Sequence, residues 1–341
     1  MKKISKVLFS LFLLAAIFSS CSTEVDLYAD YKDITVVYGL LDYKKDTNFI
    51  KINKAFLGPG NALDIALISD SCNYPGKLDC RIIESKANAG STLYSPTRVL
   101  SVDTMTIHNK DLGFFYAPDQ LVYYTPDKIN ANTQHDKYRY ELEINRGDTI
   151  LRASTDIVGG GRFAIPIAVL NFAYHSTPGS VKWTDCPNAS VYDISIDFHY
   201  YEVSNNSDTI PKNMTLNLGN YAATALNYQD GTYSLSYNNE IFFVTLASKL
   251  GADTLSTDVV ERLIFEPSLT VNISAGGDEL YNFISVNGPS SSIVQNIPEY
   301  TNVAGGYGVF SSRTTISKNV KLSSQTLTDL VLKNWRFRQA R

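Results

Sequence analysis

Cysteine and threonine are the residues of this chain whose placement could support covalent chemistry. Cys21 follows Ser19 and Ser20, which close an apolar run from Val7 to Phe18 preceded by Lys2, Lys3 and Lys6. Basic residues, a short apolar stretch and a small pair before a cleavage point form the layout of a secretory signal. The run is too short for a membrane span, which takes about 20 residues. Cys72 and Cys80 flank a loop around Pro75 and Gly76. An exported chain meets an oxidising compartment in which such a pair can bridge. The same spacing suits two reduced, buried thiols, and both alternatives stand. Cys186 is left over and reads as a packed thiol. Four threonines follow an aspartate and precede an aliphatic residue or methionine: Thr104, Thr149, Thr209 and Thr254. Each offers a hydroxyl for modification, although Asp-Thr also starts a strand after a turn.

Other chemistry is not signalled. His108, His135, His175 and His199 are isolated, without metal-ligand spacing. There is no Gly-x-Ser-x-Gly elbow and no His-Glu-x-x-His pair. No catalytic residue, metal or cofactor is therefore expected. A glycosidase-like carboxylate pair could be assembled from distant residues, but nothing selects one. Removal of residues 1–20 takes away three lysines and no acids, leaving 27 basic against 34 acidic residues, a net charge of −7. That balance argues against nucleic-acid binding, which uses a basic stripe.

The elements that would position these residues read as strands. Hydrophobic content of 44% with 22 tyrosines and 16 phenylalanines is ample for a packed β core. Ile34–Leu41 reads as a buried strand, and Phe49–Phe56 alternates apolar and polar as a second. Ala62–Ile68 is short enough for a helical turn or a docking segment. Further strands are expected at 78–84, 104–108, 121–125, 138–144 and 149–154, the spacing of a sandwich. Gly159-Gly160-Gly161 marks the expected boundary. The chain thus divides into a signal peptide (1–20), a tether (21–32), an N-terminal β-sandwich domain (33–158) and a C-terminal domain (162–341). The fold class is mainly β, with two sandwich-like domains.

In the second half, Ser180-Val181-Lys182-Trp183 is followed by the alternating run from Val191 to Phe198. A Trp strand facing a Tyr strand resembles the start of a fibronectin type III or immunoglobulin-like sandwich. Helices are expected at 239–250, 277–287 and 326–332, decorating that sandwich. Thr301-Asn302-Val303-Ala304-Gly305-Gly306-Tyr307-Gly308-Val309-Phe310 is the most distinctive stretch. Its glycines permit positive φ or close backbone approach, so Gly305, Gly306 and Gly308 form either an interaction loop or a tight turn delivering Phe310 into the core. No phosphate loop is implied, because no Lys-Ser/Thr follows.

The Ser-Ser-Cys21 junction resembles the lipobox of bacterial lipoproteins, which implies a diacylated Cys21. Multiple acyl chains anchor a protein far more firmly than one. The Asp-Thr motifs resemble the O-glycosylation signal of Bacteroidota, in which the threonine is modified. Together with the C-terminal Asn-Val-x-Gly-Gly-x-Gly-x-Phe signature, these features resemble a family of Bacteroidota outer-membrane lipoproteins that carries a domain of unknown function. The resemblance implies an outer-membrane protein held by its lipid at the cell surface, with the periplasmic face as alternative. It further implies a non-enzymatic accessory role beside an outer-membrane partner, such as a TonB-dependent uptake receptor. A carbohydrate-binding or adhesive role is the second expectation and a divergent hydrolase the third.

Overall fold

A computed structural model describes residues 34–340, apart from 56–60, 89, 109–110, 117–118, 134, 175–176, 252–257, 289–298 and 334. Cys21, the leader, the tether, Thr254 and His175 lie outside the described residues. The first half holds β1 (Ile34–Leu41), β2 (Asn48–Ala55), α1 (Ala62–Ala66), α2 (Ser69–Cys72), β3 (Asp79–Asn88), β4 (Ser95–Leu100), β5 (Asp103–Ile107), β6 (Gln120–Thr125), β7 (Asp136–Asn145) and β8 (Ile150–Asp156). The second half begins with β9 (Phe163–Ile165), β10 (Val169–Leu170), β11 (Gly179–Thr184), β12 (Val191–Ser204), β13 (Thr209–Ala222), β14 (Asn227–Gln229) and β15 (Thr232–Tyr237). It continues with α3 (Glu240–Gly251), β16 (Val259–Ile264), β17 (Leu269–Gly276), α4 (Asp278–Asn287), β18 (Tyr307–Leu322), α5 (Ser324–Leu332) and β19 (Phe337–Gln339). The fold is mainly β and sandwich-like, with few short helices.

Two cores follow from the two-residue side-chain period of the strands. In the first, Val37, Leu41, Ile50 and Ile52 of β1 and β2 face Ile82, Leu142, Ile144 and Leu151 of the sheet β4-β3-β7-β8. In the second, Tyr192, Ile194, Ile196 and Phe198 of β12 face Val181 and Trp183 of the small sheet β14-β15-β11-β9. Trp183 and Tyr192 meet edge to face at 5.3 Å, so the Trp/Tyr pair singled out in the sequence is core packing. Helix α3 closes this core with Phe242, Leu246 and Leu250.

One strand joins the halves. β18 runs parallel to β1 from Val36↔Tyr307 to Leu41↔Ser312, then antiparallel to β17 from Gly276↔Arg313 to Leu269↔Val320. The main sheet therefore passes without a break through both halves. Val303 and Phe310 sit in the first core, whereas Ile316, Val320 and Leu322 sit in the second. Residues 303–312, placed by sequence in the domain 162–341, thus pack with residues 33–158. The physical reason is edge pairing, since β18 covers the row of backbone groups that β1 would otherwise leave open. At the seam Ser311, Ser312 and Thr314 are fully buried. Ser312 donates to the Asp156 carbonyl at 2.8 Å and accepts from the Val158 N–H at 2.9 Å.

Candidate functional site

The start of β1 defines one end of the first sandwich. Ile34 pairs with Ala55 at the end of β2, and Val36 with Tyr307 at the start of β18. The register of β2 against β6, and of Ile107 against Gln120, puts the β5–β6 connection at this same end. The Thr35 hydroxyl is 2.6 Å from that of Tyr74 and accepts from Arg146 at 3.3 Å. Asn53 donates to the Cys72 carbonyl at 2.9 Å, which ties α2 here too. The first described strand thus starts at one end, the base, that is built from six separate segments.

The Gly-rich stretch belongs to the base. The Asn302 side chain brackets Phe310, donating to its carbonyl at 2.7 Å and accepting from its N–H at 2.9 Å. That pair turns the chain so that Phe310 enters the core fully buried. A Cβ on Gly306 would lie 2.7 Å from a Leu151 methyl, and one on Gly308 would lie 1.9 Å from the Val37 carbonyl oxygen. Strand β1 and Leu151 therefore occupy the backbone of Gly306 and Gly308, whereas Gly305 is exposed and a Cβ there would meet Thr149 and Leu151 only at ordinary contact distance. Of the two sequence alternatives, tight-turn packing accounts for Gly306 and Gly308.

The cysteines beyond Cys21 are buried thiols, and no disulfide joins Cys72 to Cys80. The Cys72 thiol donates to the Ala66 carbonyl at 3.3 Å, within its own helical corner. Cys80 is packed on β3 in the first core, where burial pushes its thiol up to about 12. Cys80 therefore does not present the thiolate that exchange chemistry requires. Among the Asp-Thr sites, Thr149 and Thr209 are exposed at a hairpin turn and a strand start, and Thr104 is half-buried on β5.

Buried carboxylates are closed off by protein donors. Glu84 is 3% exposed and receives Tyr140 at 2.5 Å, Arg98 at 2.8 Å, Asn130 at 2.9 Å and Thr97 at 2.9 Å. Burial acts to raise its carboxyl, but the hydrogen bonds from Arg98, Tyr140 and Thr97 outweigh that and hold it below the usual range. Glu143 lies between Arg81 and Arg152, and Glu202 beside Arg262 and Lys212. Glu279, at the start of α4, accepts from Thr155 and Ser311, each at 2.9 Å. Burial raises its carboxyl, partly opposed by these bonds and its own N–H. Among the described residues no group of three or more His, Cys, Asp or Glu could hold a metal ion. None of their helices is long and apolar enough to cross a membrane.

The second half offers a different feature, which the sequence did not indicate. A small pocket is lined by Tyr174, Thr177, Gly179, Tyr237 and Asn239. The Asn239 amide donates to the carbonyls of Tyr174 at 2.9 Å and Thr177 at 2.7 Å, which fixes its orientation. Its Oδ1 and the Tyr237 hydroxyl are then buried without a partner among the described residues. Tyr174 is 58% exposed at the rim. An acceptor and a hydroxyl thus lie covered beneath the pocket, with the exposed ring of Tyr174 at its rim.

No protein-family profile matches the chain, and no curated protein matches it. Among solved structures it is similar to a chain from work on host cell surface retention of a 1.5-MDa bacterial ice-binding adhesin. The identity is 8% and the TM-score 0.18, over 87% of this chain and 66% of that chain. A likeness that distant carries no argument about function.

Proposed function

We propose that this protein is a lipid-anchored, non-enzymatic binding protein of the cell surface, an accessory to an outer-membrane partner such as a TonB-dependent uptake receptor. The carrying observation is the path of β18. It starts beside the entry of the chain at the base and ends in the second core 16 residues later, roughly 50 Å at strand rise. An anchor at Cys21 would hold the base near the membrane and present the second half away from it. The buried Glu84, Glu143 and Glu202, each held by cationic partners, support binding over catalysis, because buried carboxylates paired in this way are structural. Affinity recovery of the native protein in mild detergent tests the reading. An outer-membrane partner should co-purify, and its loss on Cys21→Ala would tie recovery to the anchor. A protein recovered alone, with no acyl mass on Cys21, refutes it.

A second reading, carbohydrate binding, rests on the pocket at Tyr237 and Asn239. A sugar ring face can stack on Tyr174, and a sugar hydroxyl could donate to Oδ1 once a side-chain shift uncovers that buried acceptor. Binding to a glycan array that disappears in Tyr174→Ala and Asn239→Ala would favour this reading. Equal binding by both variants would remove it.

A further inference from the structure

The base carries large apolar side chains directed into solvent. Leu63, Leu67 and Ile68 extend from the α1–α2 corner, and Leu112, Phe114 and Phe115 from the β5–β6 connection. Leu112 is 91% exposed and Phe114 73%. The two segments are nearly fifty positions apart in sequence, yet the Tyr116 N–H donates to the Ala66 carbonyl at 2.9 Å. They therefore form one apolar tip. Single exposed apolar residues are ordinary, but a cluster of this kind marks a contact surface.

We infer that this tip inserts into the lipid–water interface of the membrane to which the protein is attached. The inference rests on the anchor reading, and the position of the tip selects the occupant. β1 begins at the base, and Cys21 stands thirteen positions before Ile34. A chain of that length reaches at most about 45 Å. An acylated Cys21 would thus confine the tip to the neighbourhood of a bilayer, where apolar side chains transfer favourably into the acyl boundary. The exposed neighbours Asp64, Asp70 and Asp111 are acidic. Attraction to anionic lipid is therefore not the driving force, and burial of the leucines and phenylalanines is. The lipid anchor and the tip act as two attachments, one flexible and one that fixes which way the base faces.

The test uses the full mature chain in two forms, one acylated at Cys21 and one carrying a hexahistidine tag in place of Cys21 on vesicles with nickel-chelating lipid. Both carry Phe114→Trp. The native Trp183 and Trp335 lie in the second half, remote from the base, and serve as internal controls. On phosphatidylcholine vesicles the added emission should shift to the blue and be quenched by brominated phosphatidylcholine, while the native emission stays constant. Quenching should persist at high salt and disappear in the additional double variant Leu112→Asp/Ile68→Asp. Unshifted, unquenched emission from the tagged, vesicle-bound form overturns the inference whatever the state of Cys21. If the Asp variant instead loses a co-purifying protein while lipid quenching is absent, the tip is a protein interface and the inference is equally overturned. Failure of the anchor reading is seen separately, as an unmodified Cys21 mass with quenching intact in the tagged form.

Discussion

Replacement of Gly308 by alanine probes the join between the two halves. Gly308 has φ +110°, and a Cβ there would sit 1.9 Å from the carbonyl oxygen of its β1 neighbour Val37. A strained conformation of this kind costs about 1–3 kcal/mol for a residue with a side chain. The clash is with backbone, so β1 and β18 must also separate locally, at about 1 kcal/mol per lost hydrogen bond. A total of about 3–5 kcal/mol is expected, a large part of the ~5–15 kcal/mol typical of a folded domain. Gly305→Ala is the matched control. Gly305 also has positive φ, +83°, but its nearest neighbours would be 3.7 Å from the new Cβ. Its cost is the left-handed backbone alone, about 1–2 kcal/mol. Urea unfolding should be followed by far-ultraviolet circular dichroism and by tryptophan fluorescence, which reports the second half through Trp183 and Trp335. Gly308→Ala should lower the dichroism midpoint much more than Gly305→Ala. Equal midpoints for the two variants would refute the claim that β18 needs glycine at 308 to reach β1.

Glu84 and Glu143 are both held below the usual carboxyl range, so each contributes stability that is present above the unfolded value of about 4.3 and is lost as pH falls through the lower folded value. Glu84→Gln should flatten the acid side of the stability profile, and an unchanged profile would show that the Arg98–Tyr140–Asn130 cluster does not act through charge. Glu84→Ala leaves Tyr140 and Asn130 without their acceptor and should cost about 3 kcal/mol in urea unfolding. Trp183→Ala opens a cavity in the second core and should cost about 3–5 kcal/mol, with first-half signals unfolding later than second-half ones. Intact-mass and peptide analysis of the native protein should find glycan first on the exposed Thr149 and Thr209; unmodified peptides at all four sites, Thr104 and Thr254 included, would remove the O-glycosylation expectation.

The strands with a polar outer face were legible in the sequence. β2, β7 and β12 each alternate, because one face is core and the other is wet, while β1 was legible as an apolar run instead. The expected helices at 239–250, 277–287 and 326–332 correspond to α3, α4 and α5. β18 was not legible. Its central residues Ser311, Ser312 and Thr314 are buried polar side chains, the two serines bonded to Glu279 and Asp156, so the strand has no apolar alternation where it crosses from one core to the other. β13 was missed for a related reason: Met214, Leu216 and Leu218 point inward, but Thr209–Asn213 precede them with a polar run containing Pro211. Spacing left the Cys72–Cys80 alternatives open, and local packing of Cys72 against Ala66 distinguishes them. The apolar tip is assembled from two segments that separately read as a short turn and a loop. The register of β5 on β6 and the Tyr116–Ala66 hydrogen bond bring them together, and neither is visible in the sequence.

A continuous sheet changes what an anchored protein can do with its far end. Two domains joined by a flexible linker move independently by default. Here no linker intervenes, since β18 pairs with β1 over its first six residues and with β17 over the eight that follow. Rotation of the second half against the first would break this pairing, and the buried Ser311 and Ser312 would lose their partners Glu279 and Asp156. Unmet polar groups in such a seam cost about 1–3 kcal/mol each, so the two halves turn together. An orientation imposed at the base is then carried to the pocket at Tyr237 and Asn239. Were Cys21 acylated as proposed, the tether alone would leave that pocket free to face any direction, and the proposed contact at Leu112 and Phe114 would narrow the range. Such narrowing would lower the ordering cost of any binding at that pocket, an advantage that depends on one strand running through both cores.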